Sequence, residues 1–148
     1  NTTGGPATLT WTMRLLVVND PNRTVRPAIA QLMRATRRAG LKLGILSNEL
    51  ELFYGRDFLS RMEVLRDLDA VVDATHTGIL KPDARAYALA TQALGLEPAD
   101  ILFVDDQFRN IAGAVAAGLQ VQYFDLRDVP GNLAAVAARL DIPDEEWR

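Results

Sequence analysis

From Pro27 onward the apolar positions of the chain alternate between helical spacing and short continuous runs. Ile29, Leu32, Met33, Thr36 and Ala39 recur at helical spacing behind Pro27, a residue suited to a first turn, and Gly40 supplies a stop. Leu41-Lys42-Leu43-Gly44-Ile45-Leu46 then reads as a strand that runs directly into Ser47-Asn48. A helix is predicted over residues 50–66, with Gly55 and two charged clusters blurring its limits. Ala70 to Ala74 is a short buried strand and Thr75-His76-Thr77-Gly78 a loop, followed by Lys81-Pro82-Asp83. Ala84 to Leu94 is a helix with Ala84, Tyr87, Ala88, Thr91 and Leu94 on one stripe and Gly95 beyond it. Ile101-Leu102-Phe103-Val104 is the next strand, ending in Asp105-Asp106. Ile111, Ala114 and Val115 mark the inner face of a helix that Gly118 ends, and Val121-Gln122-Tyr123-Phe124 is a last strand. Gly131 to Leu140 reads as an alanine-rich surface helix, and Asp141 to Arg148 as an acidic end containing Trp147. Four strand-to-helix steps predict an α/β domain with a mainly parallel sheet covered by helices.

The first 26 residues have two readings on periodicity alone. Arg14 to Val18 fits a strand leading to Asn19-Asp20-Pro21-Asn22, whereas Leu9, Met13 and Leu16 also fit the stripe of a helix ending near Val18.

Composition narrows the chemistry. A length of 148 residues is one domain's worth, and 49% apolar with 24% charged residues is a globular balance. Sixteen Lys and Arg against nineteen Asp and Glu give a net charge of -3, a poor footprint for a nucleic-acid binder, so small molecules or proteins are the expected partners. The absence of cysteine excludes disulfides and thiolate sites, and a lone His76 excludes zinc held by several histidines. Any metal must sit on oxygen ligands. No apolar run reaches the roughly 20 residues of a membrane helix and the start lacks the form of a signal peptide, so a cytoplasmic protein without membrane partners is expected. The first residue is Asn, which fits a chain that begins inside a longer gene product.

Three clusters carry candidate chemistry, each at the carboxyl end of a strand or in a strand-to-helix loop. Asp105-Asp106 places two carboxylates side by side, which repel unless a proton or a cation relieves them; Mg²⁺ suits such an oxygen site, and the plain alternative is a helix cap. Ser47-Asn48 either caps the following helix, Asn48 having capping-box spacing to Glu51, or donates to an anion held there. Lys81 is either a solvated surface charge or, if its loop turns inward, a counter-charge for phosphate or carboxylate. His76 reads as a surface loop residue.

Taken together and in this order, Val25-Arg26-Pro27 through Ser47-Asn48, Gly78-Ile79-Leu80-Lys81-Pro82-Asp83, and Ile101 to Asp106 with Asn110-Ile111 and Ala114 to Gly118 resemble the second, third and fourth motifs of the haloacid dehalogenase superfamily. The resemblance implies a Rossmann-like three-layer sandwich over residues 27–148 and a hydrolase of small phosphorylated metabolites that works through an aspartyl-phosphate with Mg²⁺. It assigns phosphoryl binding to Ser47 with Asn48 beside it, charge compensation to Lys81, and Mg²⁺ ligation to Asp106, with Asp105 and Asn110 completing or orienting the site. The acidic pair favours a phosphatase over a metal-independent dehalogenase. The family's first motif, Asp-x-Asp, is represented at best by Asp20-Pro21-Asn22, in which an amide replaces the acid/base carboxylate. The competing and preferred reading makes residues 7–26 the end of a cap domain and its return linker, with the nucleophile upstream of this chain. A non-catalytic relative that binds an anion or a protein partner is the alternative function. A receiver-like phosphoacceptor is disfavoured because Lys81 precedes the acidic pair. Substrate identity and oligomeric state are not legible in the residues.

Overall fold

A computed structural model describes residues 13–16, 27–48 and 68–148. Five strands, β1 (Met13–Leu16), β2 (Lys42–Ser47), β3 (Ala70–Asp73), β4 (Ile101–Asp105) and β5 (Gln120–Tyr123), form one sheet in the order β3-β2-β1-β4-β5. Every pairing is parallel, as expected for strands linked by helical crossovers. Among the described residues the α-helices are α1 (Pro27–Arg38), α2 (Ala74–Thr77), α3 (Ala84–Leu94), α4 (Phe108–Ala116), α5 (Val129–Arg139) and α6 (Asp144–Trp147).

The strand reading of the N-terminal segment is the one the structure contains for Met13–Leu16. These four residues are the central strand, hydrogen-bonded to β2 on one side and β4 on the other, so the slot between those strands is filled from within the chain. A helix there would leave two strand edges with unpaired backbone groups inside the sheet, which is the physical reason the cap-helix reading of these positions fails. The remainder of that segment, including Asp20 and Asn22, and the helix expected over residues 50–66 lie outside the described residues.

Successive β4 side chains enter opposite layers. Leu102 and Val104 join Leu41, Leu43, Leu32 and Met33 of the α1 side and Leu133, Val136 and Trp147 from α5 and α6. Ile101 and Phe103 join Leu46, Val72, Tyr87, Ala90, Leu94 and Ala114 on the α3 and α4 side. Helices therefore cover both faces, giving the three-layer sandwich, and the apolar runs of β2 and β4 are buried because both of their faces are.

Several expectations shift in detail. The stretch after β3 is a short helix, α2, because the buried Asp73 carboxylate accepts from Thr75 N at 3.0 Å and caps it. The buried stripe of α3 is Ala86, Tyr87, Ala90 and Leu94, not the Ala84 and Ala88 stripe; in an alanine-rich helix the small residues do not reveal which side faces inward. Val115 points to solvent at 55% exposure while Asn110 and Ala114 face inward, so a polar residue occupies the inner stripe of α4. The C-terminal helices are core elements, since Leu133, Val136, Ala137 and Trp147 are all buried.

Candidate active site

The carboxyl ends of β2 and β4 flank the end of the central strand. Leu16 is in register with Val104, one residue before Asp105, and Ser47 closes β2 opposite Asp73 of β3. In a parallel sheet whose order reverses at β1, this is the edge at which ligands bind.

Lys81 is not a solvated lysine. It is buried, and its ammonium donates to Asp105 Oδ2 at 3.0 Å with both side chains nearly inaccessible. It also lies over the Phe103 ring, 5.5 Å from the centroid. Burial lowers its pKa from the ordinary lysine value, opposed by the charges of Asp105 and, more weakly, Asp106.

Asp105 is held from two further directions at least: Asn110 Nδ2 donates to its Oδ2 at 3.0 Å and the Gln107 backbone N–H to its Oδ1 at 3.0 Å, in addition to Lys81. It is not the N-cap of α4; that position is Gln107, which makes no side-chain cap. The plain alternative of a carboxylate serving only to cap the helix is therefore set aside for Asp105. Asp106 is half-buried beside it and close enough for its charge to act on Lys81.

Asn48 joins the second cluster to the third. Its Oδ1 accepts from Lys81 N at 2.7 Å and its Nδ2 donates to Lys81 O at 3.2 Å, so one amide engages both backbone groups of a single residue. Ser47 is buried at the end of β2. His76, as expected of a surface residue, is exposed on α2.

Tyr87, which the stripe reading placed only in the core, turns out to support the site. Its hydroxyl donates to the Asn110 carbonyl at 2.7 Å and its ring meets Phe103 edge-on at 5.5 Å. The signal for it was a single hydroxyl-bearing aromatic among alanines on an otherwise small-residue stripe. Gln107 was also missed, because its contribution is a backbone N–H.

A model of the haloacid dehalogenase-like hydrolases matches residues 6–118, most of the chain. The chain belongs to that family. It is 37% identical over 122 residues to a phosphatase of Mycobacterium tuberculosis, covering 78% of this chain and 54% of that protein. It is 40% identical over 83 residues to an (S)-2-haloacid dehalogenase of Pseudomonas sp. strain YL, covering 55% of this chain and 35% of that enzyme. A crystal structure from Corynebacterium glutamicum superposes with a TM-score of 0.72 at 23% identity over 90% of this chain and 97% of the other, a likeness of fold. The chain spans about half the length of the curated relative from Mycobacterium and about a third of the dehalogenase. Among the described residues no helix is long and apolar enough to cross a membrane.

The donor set at this edge suits a hard cation. It is all oxygen, two adjacent carboxylates and an amide, and the buried Asn110 Oδ1 has no hydrogen-bond partner among the described residues. Three acidic or imidazole side chains do not converge among the described residues, so Asp106 and Asp105 would share a cation with amide, substrate and water oxygens.

Proposed function

We propose that this haloacid dehalogenase-like hydrolase acts on small phosphoric monoesters, with Mg²⁺ held by Asp106 and supported by Asp105 and Asn110. The observation that carries the reading is the buried Lys81–Asp105 pair beside Asp106 at the carboxyl edge of the sheet. A buried ammonium and a carboxylate pair together serve a substrate that brings negative charge and needs it compensated from two sides. When bound, Mg²⁺ would supply Lewis-acid polarisation of phosphoryl oxygens. The 37% identity to a phosphatase supports the reaction class.

In this reading Ser47 donates its hydroxyl to a phosphoryl oxygen and Lys81 offsets the charge on the phosphoryl group and the nucleophile. Asp20, or a carboxylate outside this chain, attacks phosphorus while the bond from phosphorus to the leaving oxygen breaks, giving an aspartyl-phosphate that water then hydrolyses to phosphate and free carboxylate. With an amide at Asn22, the leaving oxygen takes its proton from water, so turnover through Asp20 is slow.

Release of phosphate from p-nitrophenyl phosphate by the purified chain tests this, with Mg²⁺ or EDTA, for wild type, Asp20→Asn and Asp106→Asn. Mg²⁺-dependent release lost in both variants supports a compact phosphatase using Asp20. Absence of release, with Mg²⁺ raising the melting temperature of wild type but not of Asp106→Asn, supports the metal site and places the nucleophile elsewhere. Halide release from 2-chloropropionate in EDTA without phosphatase activity overturns the proposal.

A further inference from the structure

Lys81 can meet Asp105 only if the Lys81–Pro82 peptide is held at one height above the sheet, and two features from different elements fix it there. On the β2 side, the Asn48 amide closes two hydrogen bonds on the Lys81 backbone, 2.7 Å to its N and 3.2 Å to its O. On the α4 side stands Gly113, within the helix. Glycine in a helix interior is less favourable than alanine, so its presence there calls for a reason of space. A Cβ at position 113 would stand 2.7 Å from Pro82 Cβ, 3.0 Å from Pro82 O and 2.9 Å from the Tyr87 hydroxyl. One of those neighbours is backbone and another is a ring carbon next to it, so the conflict cannot be relieved by swinging a flexible side chain away. The Tyr87 hydroxyl is tethered as well, since it donates to Asn110 O at 2.7 Å.

We propose that Asn48 and Gly113 are positioning residues for the Lys81–Pro82 segment, Asn48 by clamping the Lys81 backbone and Gly113 by leaving room for Pro82, and so seat the Lys81 ammonium on Asp105. The inference rests on the site reading above, but its central statement concerns the location of Lys81 and can be tested without turnover. Removing the Asn48 amide frees the Lys81 backbone groups to seek water. Adding a methyl at position 113 pushes Pro82 outward and draws Lys81 with it. Either change moves the ammonium from a buried to a solvated position.

Lys42 and Lys81 are the chain's two lysines. The Lys42 ammonium donates to Leu94 O at 2.8 Å from a residue that is itself exposed, which makes it an internal reference for amine reactivity. The experiment is brief labelling with acetic anhydride, read as the Lys81-to-Lys42 ratio by mass spectrometry, for wild type, Asn48→Ala, Gly113→Ala and, as a control, Val115→Ala on the exposed face of the same helix. Lys81 is expected to be protected in wild type and Val115→Ala, and to gain at least about tenfold in relative labelling in Asn48→Ala and Gly113→Ala at temperatures where circular dichroism shows both folded. If the chain releases phosphate, kcat of the two variants falls about tenfold to a hundredfold while KM changes little, since a displacement of about 1 Å is enough for a loss of that size. Persistent protection of Lys81 in both folded variants overturns the clamp. Exposure of Lys81 in the folded variants supports the clamp whether or not the wild type releases phosphate, so failure of the clamp and failure of the catalytic reading are distinguishable. Because Asn48 is at the end of a strand and not in the core, Asn48→Ala keeps the test decisive even if Gly113→Ala does not fold.

Discussion

Two ion pairs stand close together in the sequence and differ in what they do. Lys81–Asp105, with N–O 3.0 Å, is nearly sealed from solvent. Arg85–Asp83, with N–O 2.9 Å, has its arginine side chain 72% exposed. Their geometries are alike, so the difference lies in the surroundings. At the surface, water screens the charges and the carboxylate's main contribution is local: Asp83 caps α3 by accepting from Arg85 N. At the sheet edge, burial opposes the charged form of Lys81, and the pair persists because Asn110 and the Gln107 backbone also satisfy Asp105. A buried pair that folding disfavours is retained where the charges have something to act on, whereas an exposed pair needs no such explanation.

The largest effect is expected from breaking the buried pair on one side. Lys81→Ala leaves a carboxylate buried without its ammonium and should cost about 3–5 kcal/mol, whereas Lys81→Met with Asp105→Asn, which removes both charges, should recover most of the loss. Denaturant midpoints of the three proteins check this. A single variant no less stable than the double one would remove the distinction drawn between the two pairs.

Next in size is Asn110→Asp. The Nδ2 donor to Asp105 becomes a second carboxylate facing it, and loss of a hydrogen bond to a charged group costs roughly 1.5–3 kcal/mol, with repulsion added. Millimolar Mg²⁺ should restore part of this stability if the edge holds a cation, and restore none if it does not. Melting curves with and without Mg²⁺ separate the outcomes.

How much of this was legible depends on whether a residue acts through its type or through its placement. Ser47 and Asp105-Asp106 stand at strand ends, where the change from apolar runs to polar turns marks them in the sequence, and Lys81 stands in the loop ahead of α3. The α/β layering follows from the same alternation, and the matched family agrees with it. Whether Lys81 turned inward was not legible, because that depends on Asn48 gripping its backbone 33 residues away. Gly113 acts by lacking a Cβ, and a glycine in a helical pattern has several causes. The N-terminal segment was ambiguous because Arg14 to Val18 fits a strand while Leu9, Met13 and Leu16 fit a helical stripe; pairing with β2 and β4 decides the question for Met13–Leu16, and no local pattern records pairing.

The smallest effect belongs to the exposed pair and depends on pH. The side chain of Arg85, followed by its backbone N–H, holds the Asp83 carboxyl down at about 2. A carboxyl whose folded pKa lies below its unfolded value adds stability that is fully present above the ordinary value of 3.8 and fades as pH falls towards about 2. Asp83→Ala should therefore lower the melting temperature by a small amount that is constant from neutral pH down to about 3.8, and that shrinks below it. In Arg85→Ala the backbone N–H of residue 85 still bonds the carboxylate but the guanidinium is gone, so the shrinkage should be smaller and be complete at a higher pH. Thermal melts of the paired variants over this range measure both shifts. A loss that stays constant through the acid range would mean that the cap works equally well protonated, and that the charge of the exposed pair contributes nothing at all.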